Sequence, residues 1–164
     1  RLRHCAFQDN QMGLLTGGDI GSELDIDDCL FENAPDNPGS LPHLLYVGRI
    51  GRFSIRDSVL RQGNEGHLLK SRARESTIAG NRLDDGRDGQ ASYEIDLPNG
   101  GIALVEGNTL VQSPRTQNAV MLSYGAEGLT SPSRVLWVVN NTFVNRRTSG
   151  TFVALADGSA TRLS

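Results

Sequence analysis

Apolar and polar positions along this chain follow a phrase that recurs six times: an apolar residue, two variable positions, Asn, Ser or Cys, one variable position, and Leu or Phe. The copies open at Leu2, Ile26, Ile55, Ile78, Val105 and Val138. Their small or amide residues are Cys5, Cys29, Ser58, Asn81, Asn108 and Asn141, and they close on Phe7, Phe31, Leu60, Leu83, Leu110 and Phe143. Successive copies are 24, 29, 23, 27 and 33 residues apart. A repeat of that length cannot bury an apolar face alone and must stack on its neighbours, which predicts a solenoid.

A second apolar run follows each phrase after a loop, for example Leu44–Val47, Leu68-Leu69 and Tyr93–Leu97. Alternation with period two is clearest in Tyr93, Ile95 and Leu97, which sets Glu94 and Asp96 on the opposite face. By the same rule His67, Leu69 and Ser71 share one face, and Leu68, Lys70 and Arg72 the other. Each coil therefore offers at least two short strands separated by polar turns, and no segment has sustained helical spacing. The expected fold is all-β: a single-stranded parallel β-helix of about six coils, forming one domain over residues 1–164. Asn tolerates left-handed turn geometry and can bond the next coil through its amide. A ladder of Asn81, Asn108 and Asn141, continued by Ser58 and the two cysteines, is expected along the axis. A β-sandwich of hairpins would explain the strands but not one phrase recurring at one phase.

Composition narrows the function. The net charge is −3, against the basic footprint of a general nucleic-acid binder. No apolar run approaches the ~20 residues of a membrane span. Nineteen glycines with five per cent aromatic residues suit a turn-rich β protein. The first residue is Arg1 and the repeat begins at once, so a processed chain or a piece of a longer solenoid is expected. Cys5 and Cys29 occupy one row of consecutive coils, where parallel stacked side chains favour two packed thiols over a disulfide.

Loops carry the length variation: Glu32–Ser40, Asp84–Gly89 and Gly125–Ser133. Such insertions often border a binding face. Asp84, Asp85 and Asp88 supply hard oxygen ligands of the kind Ca²⁺ uses, though solvated turn carboxylates are the default reading. His43 precedes Leu44-Leu45 as His67 precedes Leu68-Leu69, so the two rings are expected to stack.

The phrases Val138–Phe143, Val105–Leu110 and Ile78–Leu83 resemble the right-handed parallel β-helix of pectin-lyase-like proteins. Glu65-Gly66-His67-Leu68-Leu69-Lys70-Ser71, followed by the Asn81 phrase, is most similar to the alginate lyase and chondroitinase B family. That resemblance implies Lys70 as the base that removes the proton α to a uronate carboxylate. It also implies an Arg on the next coil as acid, and Ca²⁺ that neutralises the uronate, with Glu65 as a candidate ligand. The next coil departs from the pattern. Asp96 stands where the family carries its Arg, and a Lys70–Asp96 ion pair across coils is expected instead. Arg49 or Arg72 would have to take the missing role, with His67 as a further catalytic candidate.

Two readings follow. One is a lyase or epimerase acting on an acidic polysaccharide, outside the cytoplasm (secreted, periplasmic or at the cell surface). Its groove would cross the strands of Arg49, Lys70, Arg72, Glu94 and Asp96, with Tyr46 and Tyr124 stacking on sugar rings. The other is a non-catalytic β-helix that binds glycan or forms a structural segment of a surface protein; it requires the Lys70–Asp96 pair.

Overall fold

A computed structural model describes residues 1–35 and 42–163. The chain coils into three parallel sheets, and each coil gives one strand to each. The first sheet has seven strands: Leu2–Arg3, Glu23–Asp27, Arg52–Arg56, Glu75–Ala79, Gly101–Glu106, Arg134–Val139 and Ala160–Leu163. The second has six, Ala6–Gln8, Leu30–Glu32, Val59–Arg61, Arg82–Asp84, Thr109–Gln112 and Thr142–Asn145. The third also has six, Leu14–Leu15, Leu45–Val47, Leu69–Ser71, Ile95–Leu97, Val120–Tyr124 and Thr151–Leu155. This is the expected parallel β-solenoid of about six turns.

The register follows the repeated phrase residue for residue. Leu2, Ile26, Ile55, Ile78, Val105 and Val138 are successive partners in the first sheet. Phe7, Phe31, Leu60, Leu83, Leu110 and Phe143 are successive partners in the second. The phrase thus spans two strands and the corner between them. Its first apolar residue closes one sheet and its last lies in the next. Both rows point inward, and their central members, such as Ile55, Ile78, Leu60 and Leu83, are fully buried. Each buried Leu or Ile contributes about 1.5–3 kcal/mol relative to exposure, and stacking supplies that burial.

The corner residue forms the expected ladder. The backbone N–H of Asn81 donates to Asn108 Oδ1 (2.9 Å), and that of Asn108 to Asn141 Oδ1 (2.9 Å). Side-chain amides run in parallel, Asn81 Nδ2 to Asn108 Oδ1 (3.0 Å) and Asn108 Nδ2 to Asn141 Oδ1 (2.9 Å). Ser58 N–H donates to Asn81 Oδ1 (3.0 Å), Cys29 N–H to Ser58 Oγ (3.0 Å), and Cys5 N–H to Cys29 Sγ (3.5 Å). Both cysteines are free thiols, as expected.

Two local expectations are corrected. The left-handed residue is not the ladder residue but the one before it: His4, Asp28, Asp57, Gly80, Gly107 and Asn140 all have φ between 49° and 67°. The chain turns there, which aims the next side chain into the corner. Strict alternation also fails where the third sheet begins. Leu44 and Leu45, then Leu68 and Leu69, are consecutive and all buried, because the chain rounds a corner between them. Glu94 follows that row, with Leu68 before it and Met121 after it, and is fully buried. Of the Glu32–Ser40 loop, residues 36–40 lie outside the described residues.

Candidate functional site

The outward row of the third sheet carries the chemistry. Register places Tyr46, Lys70, Asp96 and Ser123 side by side. Lys70 Nζ lies 3.1 Å from Asp96 Oδ2, so the expected cross-coil pair is formed. His67 Nε2 lies 3.4 Å from the same oxygen. This places His67 beside Lys70 rather than on the Leu69 face, because the paired leucines consume the alternation at the corner. His67 also stacks on His43, with ring centroids 4.7 Å apart, and meets Tyr93 edge-on at 4.8 Å. The Nδ1 of His43 accepts the His67 backbone N–H at 2.8 Å.

A second carboxylate arrives from the Gly125–Ser133 loop. Glu127 Oε1 accepts from Lys70 Nζ at 2.8 Å, and Oε2 from Arg72 Nη2 at 2.7 Å. Arg72 also donates through Nε to the Tyr46 hydroxyl (2.8 Å) and through Nη1 to Asn99 Oδ1 (2.5 Å). The network holds two cations, two carboxylates and a His67–His43 stack. Burial opposes ionisation of Asp96, but the hydrogen bond and charge of His67, with the charge of Lys70, hold its carboxyl below the ordinary range. The hydrogen bond from Lys70 does the same for Glu127. His43 is driven down to about 3, first by burial and then by the charges of His67 and Lys70, so it is neutral. Lys70 spends its ammonium protons on two carboxylates, whereas a proton-abstracting base needs a free lone pair directed at substrate.

Beside this network lies a groove of about 330 Å³ in which Arg49, Arg72 and Arg74 converge with Asn99 and Ser131 over Ile20. It continues past Arg49 and Arg72 into a shallower one of about 460 Å³ bordered by Tyr46 and the exposed Leu15. Among the described residues neither groove is lined by a carboxylate, and Arg49 and Arg74 make no ion pair. The Ser131 hydroxyl is buried with no hydrogen-bond partner. The Arg49 corner is one residue longer than that of the next coil: four residues separate Val47 from Arg52, and three separate their partners Ser71 and Glu75. The corner after Leu97 again has four residues before Ile102.

The structure therefore gathers Tyr46, Arg49, Lys70, Arg72, His67 and Asp96, and places the other candidates elsewhere. Tyr124 is 1% exposed and its hydroxyl donates to the Gly101 carbonyl at 2.6 Å, so it presents no face to a sugar. Glu94 lies inside the solenoid, not in the groove. Asp85 is fully buried and accepts from the backbone N–H groups of Gly63 (2.9 Å) and Ala91 (3.0 Å). Asp84 caps its own turn by accepting the Gly86 N–H (2.9 Å), and exposed Asp88 pairs with Arg115 at 3.6 Å. Glu65 sits at a left-handed turn position (φ 58°) whose N–H donates to the Gln90 carbonyl. Among the described residues no three His, Cys, Asp or Glu side chains converge as a metal set.

Glu127, Arg74, Asn99 and Ser131 were not anticipated. Arg74 follows Arg72 by two residues, so alternation alone could have flagged it; the other three sit at corners and in a loop outside any period. No protein-family model matches the chain, and neither a curated protein nor a solved structure is significantly similar to it.

Proposed function

We propose that this chain binds an acidic polysaccharide along the outer face of its third sheet and does so without cleaving it. The observation that carries this reading is the groove lined by Arg49, Arg72 and Arg74, where, among the described residues, no carboxylate lines the wall and two of the three lack an ion-pair partner. Arg is the side chain best matched to a planar carboxylate, which it holds through paired N–H donors. The groove also runs along the solenoid axis, from Ile20 on the first coil to Asn99 on the fourth. Coils repeat every ~4.8 Å, about the advance of one sugar along an extended glycan, so anionic subsites recur in step with a polymer. The resemblance to right-handed pectin-lyase-like β-helices supports the same ligand class and a place of action outside the cytoplasm.

The alternative is a polysaccharide lyase or epimerase, which keeps one observation in its favour: Lys70, Arg72 and the Tyr46 hydroxyl lie together. Against it, both carboxylates on Lys70 occupy the protons of the supposed base.

Calorimetric titration with polygalacturonate and alginate, with dextran as neutral control, tests the reading. Binding of the uronates but not dextran, weakening with salt, is expected. Combining Arg49→Ala with Arg74→Ala should lower affinity about tenfold or more, because each lost charge-assisted bond is worth about 1.5–3 kcal/mol. Equal affinity for dextran, or no effect of the double substitution, refutes it. Ultraviolet absorbance of unsaturated uronate during the same incubations decides between binding and elimination, since a signal abolished by Lys70→Ala would establish the lyase.

A further inference from the structure

We propose that Glu127 is an internal stand-in for a ligand carboxylate, and that Lys70 and Arg72 form a uronate subsite which Glu127 closes until an acidic glycan displaces it. This inference rests on the glycan-binding reading above and adds to it a subsite and a gate. The geometry points to substitution of one carboxylate for another. A single carboxylate bridges two cations on the same coil, one oxygen at 2.8 Å from Lys70 Nζ and the other at 2.7 Å from Arg72 Nη2. That is how a planar carboxylate is held by two charge-assisted donors.

The other partners of these cations belong to the framework. Asp96 and Tyr46 are strand neighbours in the third sheet, and Asn99 lies at the corner of the next coil. Only Glu127 comes from an insertion, 57 residues along the chain from Lys70 and 55 from Arg72. Exposure marks the same division. The side chains of Lys70 and Arg72 are 9% and 17% exposed, whereas that of Glu127 is 46% exposed and covers them from the solvent side. A carboxylate so exposed has little net stability to lose when its ion pairs open.

The loop itself is fixed. The backbone N–H groups of Gly125, Glu127 and Ser131 donate to the carbonyls of Leu97, Pro98 and Asn99, at 2.9, 3.0 and 3.1 Å. Leu129 packs against the hydrophobic core. Opening therefore requires only rotation of the Glu127 side chain, while the backbone keeps the groove wall and the unpartnered Ser131 hydroxyl in place. A uronate carboxylate replaces Glu127 with the charge balance around Lys70 and Arg72 unchanged. A neutral sugar cannot, because it would leave Arg72 without a counter-charge and Lys70 with Asp96 alone. The gate thus selects for anionic residues at this subsite. Arg49 and Arg74 need no such release and bind carboxylate directly.

The test is calorimetric titration of the intact chain and of Glu127→Gln with oligogalacturonate and with oligoalginate at low salt. Glu127→Gln keeps the shape and removes the competing charge, so about three- to tenfold tighter uronate binding is expected, with dextran still not bound. In a ¹³C carboxyl spectrum the Glu127 resonance of the unmodified chain should move to a solvated position on adding uronate and stay in place on adding dextran. Unchanged or weaker binding by Glu127→Gln, or a Glu127 resonance indifferent to uronate, overturns the gate. If Arg49→Ala with Arg74→Ala still weakens binding in that case, the glycan reading stands without it. Absence of uronate binding by every form overturns both.

Discussion

Replacing Glu94 by Leu should stabilise the protein, an uncommon outcome for a substitution at a fully buried position. Glu94 is 0% exposed, and neither carboxylate oxygen has a hydrogen-bond partner. It lies between Leu68 and Met121 in a row that also holds Leu44, all buried. Burial first, then the charge of Asp85, raises its pKa well above 4.5. A carboxyl protonated but unpartnered forfeits about 1–3 kcal/mol, which Leu would recover while fitting the volume of its neighbours. For a chain of this size each kcal/mol moves Tm by about 2–4 °C, so a rise of about 2–12 °C is expected. The pH dependence carries the sharper check. A group whose folded pKa is raised contributes stability that is complete below its unfolded value and lost as pH rises toward the folded one. Glu94 therefore weakens the native protein from about pH 4.5 upward, and the gain from Leu must be larger near pH 8 than near pH 5. Glu94→Gln should reduce the pH slope while keeping most of the polar cost. Urea unfolding followed by far-ultraviolet circular dichroism at both pH values measures all three proteins. Loss of stability in Glu94→Leu, or an equal gain at the two pH values, would refute the reasoning.

Asp85 titrates in the same direction. Burial, partly offset by its hydrogen bonds from Ala91, Thr116 and Gly63, raises it from 3.8 to about 7, so Asp85 should cost the protein up to roughly 4 kcal/mol of stability as pH rises from about 4 to about 7, and Asp85→Asn should abolish that pH-dependent loss in the same titrations. Asn108→Ala strands the Asn81 backbone N–H and the Ile78 carbonyl at a buried corner, and should cost about 2–4 kcal/mol in urea unfolding. Lys70→Met leaves Asp96 buried with His67 as its remaining partner, which should cost about 3 kcal/mol; a loss below about 1 kcal/mol would show the pair to be dispensable. Without reductant, the urea-unfolded chain should take up two equivalents of a thiol reagent, whereas in the native protein half-exposed Cys5 should react well before Cys29, which is 4% exposed.

The phrase gave the register in advance because each copy places chemically equivalent residues at equivalent points of a coil. Counting from Asn81 and Asn108 was enough to set Lys70 opposite Asp96, and the two do meet at 3.1 Å. What counting could not supply was the corner geometry. Two consecutive leucines at 68 and 69 turn inward together, which carries His67 to the Lys70 side and sends Glu94 into the interior. The left-handed position was misplaced by one residue for a related reason. The phrase shows which side chains repeat but not which backbone unit bends, and that unit is Asp, Gly, His or Asn by turns. Glu127 lay beyond reach altogether, since an insertion has no phase to count from and its partners are more than fifty residues away.

Framework and ligand make opposite demands on the same face. A nearly enclosed ammonium such as that of Lys70 requires a counter-charge simply for the coils to stack, and Asp96 supplies it from the adjacent strand. Asp96 is thereby committed to Lys70 and has little left to offer a ligand. Among the described residues on this face, the cations without an ion pair sit at corners: Arg49 between Val47 and Arg52, and Arg74 beyond the end of the third-sheet strand. The loop that roofs Lys70 breaks the period, and it brings Glu127, the exposed carboxylate that the proposed ligand would replace. On the proposed reading, binding capacity resides at the corners and in the loop, and the repeat that made the fold readable is for the same reason silent about the ligand. Shortening the Arg49 corner by deleting Gly48 tests this directly: the coils should still stack, because the rows on either side keep their partners, while uronate affinity falls toward that of Arg49→Ala. Retained affinity in a folded deletion variant would show that the extra residue does not present the guanidinium and would return the search for the ligand site to the strands.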